Sequence, residues 1–214
     1  MKKLKTEVIK YSKKLNSTNL SALRSGNISV RVRDKGVEGF YITPSGRKYS
    51  SLKPRDIVFV SLKGVYDKKK GKPSSEWRFH QDIYVNKKEA KAIVHAHSTC
   101  ATAVSTHQKN IPAFHYMVAV AGGEDIKCSK YATFGTKVLS RNIIRALINR
   151  KACLIANHGQ VAFSENLEKA FELAQEIENI CHQYINALRI GIPKILSKKE
   201  IKIVLGKFKN YKRG

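Results

Sequence analysis

His95 and His97, in the run Ile93-Val94-His95-Ala96-His97-Ser98, stand two residues apart inside an apolar stretch. In a strand that spacing puts both imidazoles on one face, where they can share a metal ion. A third histidine closes a second apolar run, Leu154-Ile155-Ala156-Asn157-His158-Gly159, at a point where a buried strand opens into a turn. Three neutral imidazoles with one open position describe a catalytic zinc site rather than a closed structural one. A lone histidine beside an apolar run is more often a hydrogen-bonded core residue, and that alternative weighs more on His158 than on the pair, since each member of a buried pair needs its own partner. His80, His107, His115 and His182 lack this geometry, and His182 falls on a long helical pattern.

Glu76 precedes Trp77-Arg78-Phe79-His80 in a segment that should lead from a turn into a helix. A carboxylate among aromatic rings has its pKa raised by desolvation, which suits a general acid/base. A glutamate at a helix N-terminus also interacts with the helix dipole, and the two readings stay open at this point. Three further segments, Ser25-Gly26-Asn27, Thr43-Pro44-Ser45-Gly46 and Pro73-Ser74-Ser75-Glu76, combine glycine or proline with small polar residues. Each alone reads as a turn. If they converged, their backbone N–H groups and hydroxyls would cradle a phosphate. The chain carries neither a Walker A pattern nor Gly-x-Gly-x-x-Gly, which argues against ATP or a dinucleotide.

These residues need elements to hold them. Leu4, Val8, Tyr11 and Leu15 predict an amphipathic helix over 3–15, and strands follow at 27–33, 39–43 and 56–62. Residues 79–88 read as helix, 91–97 as the histidine strand, 98–107 as a short helix of small residues, and 115–121 as an apolar strand. Helix 136–149, a strand at 153–156 and a long helix over 167–190, stopped by Gly191 and Pro193, complete the pattern. The expectation is one α/β (α+β-like) domain over residues 1–214, a largely antiparallel sheet flanked by helices, with a mobile tail from about 206.

At 214 residues the chain can bury a core without disulfides. Cys100, Cys128, Cys153 and Cys181 are scattered, with no Cys-x-x-Cys pair, and read as buried reduced thiols. No apolar run reaches the roughly 20 residues of a membrane span, and the charged N-terminus lacks the apolar core of a signal peptide, so a cytoplasmic protein is expected. The 41 Lys plus Arg against 16 Asp plus Glu leave a net +25, which keeps nucleic acid as a rival partner. The excess is lysine rather than arginine, gathered in the first helix, the Lys68–Lys72 turn and the tail, and aromatics are not interleaved as a stacking platform would need. Solvated lysine faces that steer phosphorylated substrates fit better.

Taken together, Ser25-Gly26-Asn27-Ile28-Ser29, Ile42-Thr43-Pro44-Ser45-Gly46, Pro73-Ser74-Ser75-Glu76-Trp77-Arg78-Phe79-His80, Val94-His95-Ala96-His97-Ser98 and Asn157-His158-Gly159 resemble, in order and spacing, the class II aldolase/adducin family. The resemblance covers nearly the whole chain and is nearest to the branch that cleaves deoxyketose 1-phosphates such as L-fuculose 1-phosphate. It implies one Zn²⁺ per subunit held by His95, His97 and His158, with Glu76 as catalytic carboxylate and as a ligand when substrate is absent. It implies phosphate binding by Gly26, Asn27, Ser45, Gly46, Ser74 and Ser75, and a substrate pocket that includes Phe134 and Tyr211. It also implies a cyclic homotetramer in which Tyr116 enters the active site of a neighbouring subunit. Ribulose-phosphate 4-epimerases of the family tend to carry aspartate at the position of Glu76, methylthioribulose-phosphate dehydratases use the zinc to eliminate water, and the adducin-like branch lacks the zinc ligands. Asn157 departs from the pattern, since the fuculose branch tends to carry a histidine there.

Overall fold

The computed structural model describes residues 1–211. Seven strands form one sheet in the order β3-β2-β1-β4-β7-β6-β5. They are β1 (Asn27–Asp34), β2 (Val37–Ile42), β3 (Val58–Ser61), β4 (Ala92–Ala96), β5 (Cys128–Ser129), β6 (Ala152–Ile155) and β7 (Gly159–Ser164). All neighbouring pairs are antiparallel except β5 with β6. The helices are α1 (Lys2–Ser17), α2 (Trp77–Asn86), α3 (Thr99–Ser105), α4 (Lys137–Ala146), α5 (Leu167–Ile190) and α6 (Lys198–Tyr211).

Both faces of the sheet are buried, so its central strands are apolar on both sides. Ala92, Val94 and Ala96 of β4 pack with α1, α3 and α5, while Ile93 between them joins Phe79 and Ile83 of α2 and Leu139 and Ile143 of α4. His95 shares the parity of Ile93, and its imidazole therefore points to the α2 side, where Phe79 meets it edge-on at 5.3 Å. Register then places the loops: Asn27 at the start of β1 lies opposite His95, and Ala96 lies opposite Gln160.

Two expectations are corrected. Residues 115–121 are not a strand; Tyr116–Ala121 form a 3₁₀ helix closed by left-handed Gly122. Val118 and Ala121, three apart, enter the main core, and Ala119 meets Ile201 and Val204 of α6, so the run is buried on two sides without pairing to an edge. Gly159–Ser164, which had no element assigned, is β7, the strand that binds β4 to β6. Boundaries also move. The third strand starts at Val58 because Pro54–Asp56 turn as 3₁₀ helix, and the histidine strand ends at Ala96, leaving His97 just beyond it. Residues 206–211, read from sequence as the start of a tail, continue α6.

Candidate metal and phosphate site

Three chain segments meet at the C-terminal end of β4. His95 is fully buried within the strand, and His97 follows its end. The β6–β7 hairpin presents His158 from a tight turn in which Asn157 adopts left-handed φ +54. Glu76 stands immediately before α2 and makes no side-chain capping bond, which settles its two sequence readings: the carboxylate faces the histidines. Its Oε2 lies 3.1 Å from His95 Nε2 and its Oε1 3.2 Å from His158 Nε2. His95 Nε2 and His97 Nε2 are 2.9 Å apart, and all four ligating atoms fall within 4.8 Å of one another.

The donor set suits a divalent cation. His95 donates Nδ1–H to the Gln160 carbonyl at 2.8 Å, which leaves the Nε2 lone pair for the shared centre. The His97 and His158 backbone N–H groups are tied to Ser21 Oγ and Ser105 Oγ. Glu76 Oε1 is buried without a hydrogen-bond partner among the described residues, being out of line with His158. A buried carboxylate oxygen left so, beside ring nitrogens facing each other at 2.9 Å, needs a cation to offset it. Electrostatics agree. The raised Glu76 pKa expected from its aromatic neighbours is reversed: burial raises it, but His95, then His158 and His97, outweigh burial and hold the carboxylate well below its usual range. Burial and the neighbouring histidines lower His97 to about 3, and burial followed by His95 lowers His158 to about 4, so both rings are neutral and free to ligate. His95 is the exception: burial works downward, but Glu76 prevails and raises its pKa, so without a cation this ring shares with Glu76 a proton that a metal would displace.

Beside this centre opens a cavity of about 380 Å³. Gly26, Asn27, Ser45, Gly46, Ser74 and Ser75 all line it, so the structure brings the six residues expected to bind phosphate around one cavity. Gly26, at φ +77, is required on two counts: a Cβ there would lie 2.6 Å from Ser21 Oγ and 2.7 Å from the His95 carbonyl. A bridge between Pro44 and Pro73 fixes the second and third segments, and Ser74 N–H donates to the Thr43 carbonyl at 3.0 Å. Phe134 also lines this cavity.

Tyr116 does not line the cavity. It is about half exposed and packs on His115 and Phe208 of α6. The Tyr211 side chain lies outside the described residues. Sequence reasoning missed Arg24, Tyr49 and Tyr131. Arg24 lines the phosphate end and donates to the Gly46 carbonyl at 3.1 Å, and a cation next to Ser25-Gly26 was the available signal. Tyr49 donates to the Gly26 carbonyl at 2.5 Å, and Tyr131 stands with Phe134; neither carried a local cue.

Residues 6–185 match the family model described as Class II Aldolase and Adducin N-terminal domain. The chain is 44% identical over 208 residues to 5-methylthioribulose-1-phosphate/5-deoxyribulose-1-phosphate aldolase of Rhodospirillum rubrum, covering 97% of this chain and 92% of the relative. It is also 44% identical over 210 residues to L-fuculose phosphate aldolase of Escherichia coli K12, covering 98% and 95%. A solved structure of an L-fuculose 1-phosphate aldolase superposes with a TM-score of 0.92 at 39% identity, over 98% of this chain and 97% of that one.

Proposed function

Since the chain belongs to the class II aldolase/adducin family and is a metal-dependent carbon–carbon lyase, we propose that it cleaves L-fuculose 1-phosphate, or a similar deoxyketose 1-phosphate, reversibly to dihydroxyacetone phosphate and L-lactaldehyde or a similar aldehyde. The observation that carries this reading is the placement of Glu76, His95, His97 and His158 against a cavity whose other end is a Gly/Ser cradle. The span suits a ligand with a phosphate at one terminus and its reacting carbons at the metal. Zinc is the metal we assign, on three imidazole nitrogens and a carboxylate. When bound, it supplies Lewis-acid stabilisation of the negative charge that develops on the ketose oxygens as C3–C4 breaks.

The chain's own residues do the rest. Gly26, Asn27, Ser45, Gly46, Ser74 and Ser75 hold the phosphate, so the three-carbon fragment keeps its register while the aldehyde fragment leaves. The C4 hydroxyl gives up its proton as the C3–C4 electron pair passes to the dihydroxyacetone phosphate fragment, and Tyr116 relays it, its phenolic oxygen accepting that proton as its own O–H proton passes to solvent. Glu76 passes a proton taken up from solvent to C3 to complete dihydroxyacetone phosphate and is left ionised, and in the condensation direction it removes that proton. Oε1, with no hydrogen-bond partner, is the oxygen free to carry it. Phe134 offers the departing aldehyde an apolar wall, and Tyr211 is the second pocket residue we assign. No imine-forming lysine is required.

The substrate class includes 5-deoxyribulose 1-phosphate, because the Rhodospirillum relative named for it matches at the same 44% as the fuculose enzyme. Asn157, joined to Gln108 through Oδ1 at 2.8 Å, replaces the histidine expected of the fuculose branch. The test is release of dihydroxyacetone phosphate from each ketose phosphate, with and without a zinc chelator. Chelator-sensitive release supports the reading; no release from zinc-loaded protein with either substrate overturns it.

Tyr116 lies off its own chain's cavity, so it can serve only the site of another copy, in the homotetramer we assign. Mixing dissociated Glu76→Gln and Tyr116→Phe chains should restore activity, because some sites then pair an intact Glu76 with an intact Tyr116. If assembled mixtures stay as inactive as the parents, Tyr116 does not act across an interface. No helix among the described residues is long and apolar enough to cross a membrane. A cytoplasmic enzyme whose +25 charge draws anionic sugar phosphates, rather than nucleic acid, fits these observations.

A further inference from the structure

From Glu76 Oε2, the oxygen that also faces His95, a chain of buried polar groups runs through Asn27 to three residues that the proposed reaction does not use. Glu76 Oε2 accepts from Asn27 Nδ2–H at 3.0 Å. Asn27 Oδ1 meets His80 Nε2 at 2.5 Å, His80 Nδ1 meets Ser29 Oγ at 2.7 Å, and Ser29 Oγ meets Tyr84 Oη at 2.8 Å. Asn27, Ser29, His80 and Tyr84 are all buried, at 2% exposure or less. The chain links β1 to two successive turns of α2.

Its polarity is fixed from the Glu76 end. An ionised carboxylate only accepts, so Asn27 must present its amide nitrogen to Glu76 and its carbonyl oxygen to His80. His80 must then donate from Nε2, which in a neutral ring leaves Nδ1 to accept the Ser29 O–H, and Ser29 in turn accepts the Tyr84 O–H. Every member is satisfied in one arrangement. With the proton on Nδ1 instead, the Nε2 lone pair would face Asn27 Oδ1; rotating the amide to relieve that contact would set its oxygen against the Glu76 carboxylate. The ring sits in an apolar slot, stacked at 4.7 Å on Phe79 and 6.5 Å on Phe40, and burial lowers its pKa to about 3, which keeps it uncharged.

We infer that His80, as the neutral Nε2–H form, is a positioning residue for Glu76: through Asn27 it locks Oε2 in place and leaves Oε1 as the oxygen that exchanges the proton. The inference rests on the catalytic role proposed for Glu76. It also assigns Asn27 a second duty, since its amide both lines the phosphate end of the cavity and holds the carboxylate.

The test compares zinc-loaded His80→Gln, His80→Phe and Glu76→Gln with the parent enzyme. Glutamine can place an N–H near the position of Nε2; phenylalanine fills the slot without a donor. The expected result is a kcat at least tenfold lower in His80→Phe, at unchanged KM and metal content, with most of the loss restored in His80→Gln. Alongside, ¹⁵N-histidine NMR of the parent enzyme should show Nε2 protonated and Nδ1 bare in His80 from about pH 5.5 to 8.5. A proton on Nδ1 overturns the inference, as does parental kcat in His80→Phe when Glu76→Gln is inactive. Full activity in Glu76→Gln would instead overturn the role of Glu76 and the positioning of it, while the tautomer measurement would still report the polarity of the chain. If His80→Phe does not fold, the NMR result and the kcat of His80→Gln decide.

Discussion

Glu76→Gln should lower retro-aldol turnover by about 10²–10⁴-fold while the protein keeps its metal. The substitution preserves shape and one oxygen, and the three imidazoles, converging from β4 and the β6–β7 turn, remain to hold the ion. What disappears is the proton acceptor. An amide cannot shuttle a proton to and from C3 of the three-carbon fragment, whereas the carboxylate, held ionised against its burial first of all by His95, can. The loss should fall on kcat more than on KM, because the phosphate cradle is untouched. Exchange of the C3 proton of dihydroxyacetone phosphate with deuterated solvent, in the absence of aldehyde, isolates this step and should fall in parallel. Metal content by elemental analysis separates the two roles of Glu76. Full metal with lost exchange marks it as the acid/base; metal lost with the activity would make it chiefly a ligand; undiminished turnover would refute both.

The histidine centre was legible in the sequence because it rests on local rules. The two-residue period of a strand puts His95 and His97 together whatever the rest of the fold, and glycine after His158 marks a turn. The phosphate segments were legible only as three separate turns, since their meeting depends on the antiparallel pairing of β1 with β2 and on the Pro44–Pro73 bridge. β7 escaped notice because it has no alternation to read. It is buried on both faces, and Gln160 interrupts its apolar run. That glutamine is tolerated because its amide N–H groups reach Ser98 Oγ at 2.8 Å and the Ala174 carbonyl at 3.0 Å, partners distant in sequence. His80 stands outside the cluster of Glu76, His95, His97 and His158, and its bonds to Asn27 and Ser29 span more than fifty residues and leave no local trace. The run at 115–121 misled for the opposite reason. An apolar segment buried on two sides looks alike as strand or as 3₁₀ helix until α6, packed against it, shows which surface it covers.

Gly159→Ala should release the metal, although residue 159 touches no ligand atom. β7 begins at this residue, directly after His158, and passes so close to β4 that a methyl group has no room: an added Cβ would lie 2.3 Å from the Ala96 carbonyl oxygen and 3.2 Å from His97 Cα. Both obstacles are backbone, at the last residue of β4 and at the metal-site histidine that follows it. A side chain could rotate aside; a paired strand must shift as a whole. The shift moves the His158 turn away from His97, whose rings now stand 4.7 Å apart and nearly perpendicular. Overpacking of this kind costs about 1–3 kcal/mol of stability, but displacing one of three imidazoles costs the site more, so zinc affinity should fall well over tenfold and activity with it. Gly36→Ala provides the comparison. Gly36 sits in the β1–β2 hairpin at φ +81 with nothing within 4 Å of the added Cβ, so that change carries only the penalty of left-handed backbone. Both variants should lose some thermal stability, and only Gly159→Ala should lose metal in a titration against a competing chelator. Parental zinc affinity in Gly159→Ala would mean that the β4–β7 contact does not set the position of His158, and that the turn's own bonds, from the His158 N–H to the Ile155 carbonyl at 3.0 Å and to the Ser105 hydroxyl at 3.3 Å, hold it.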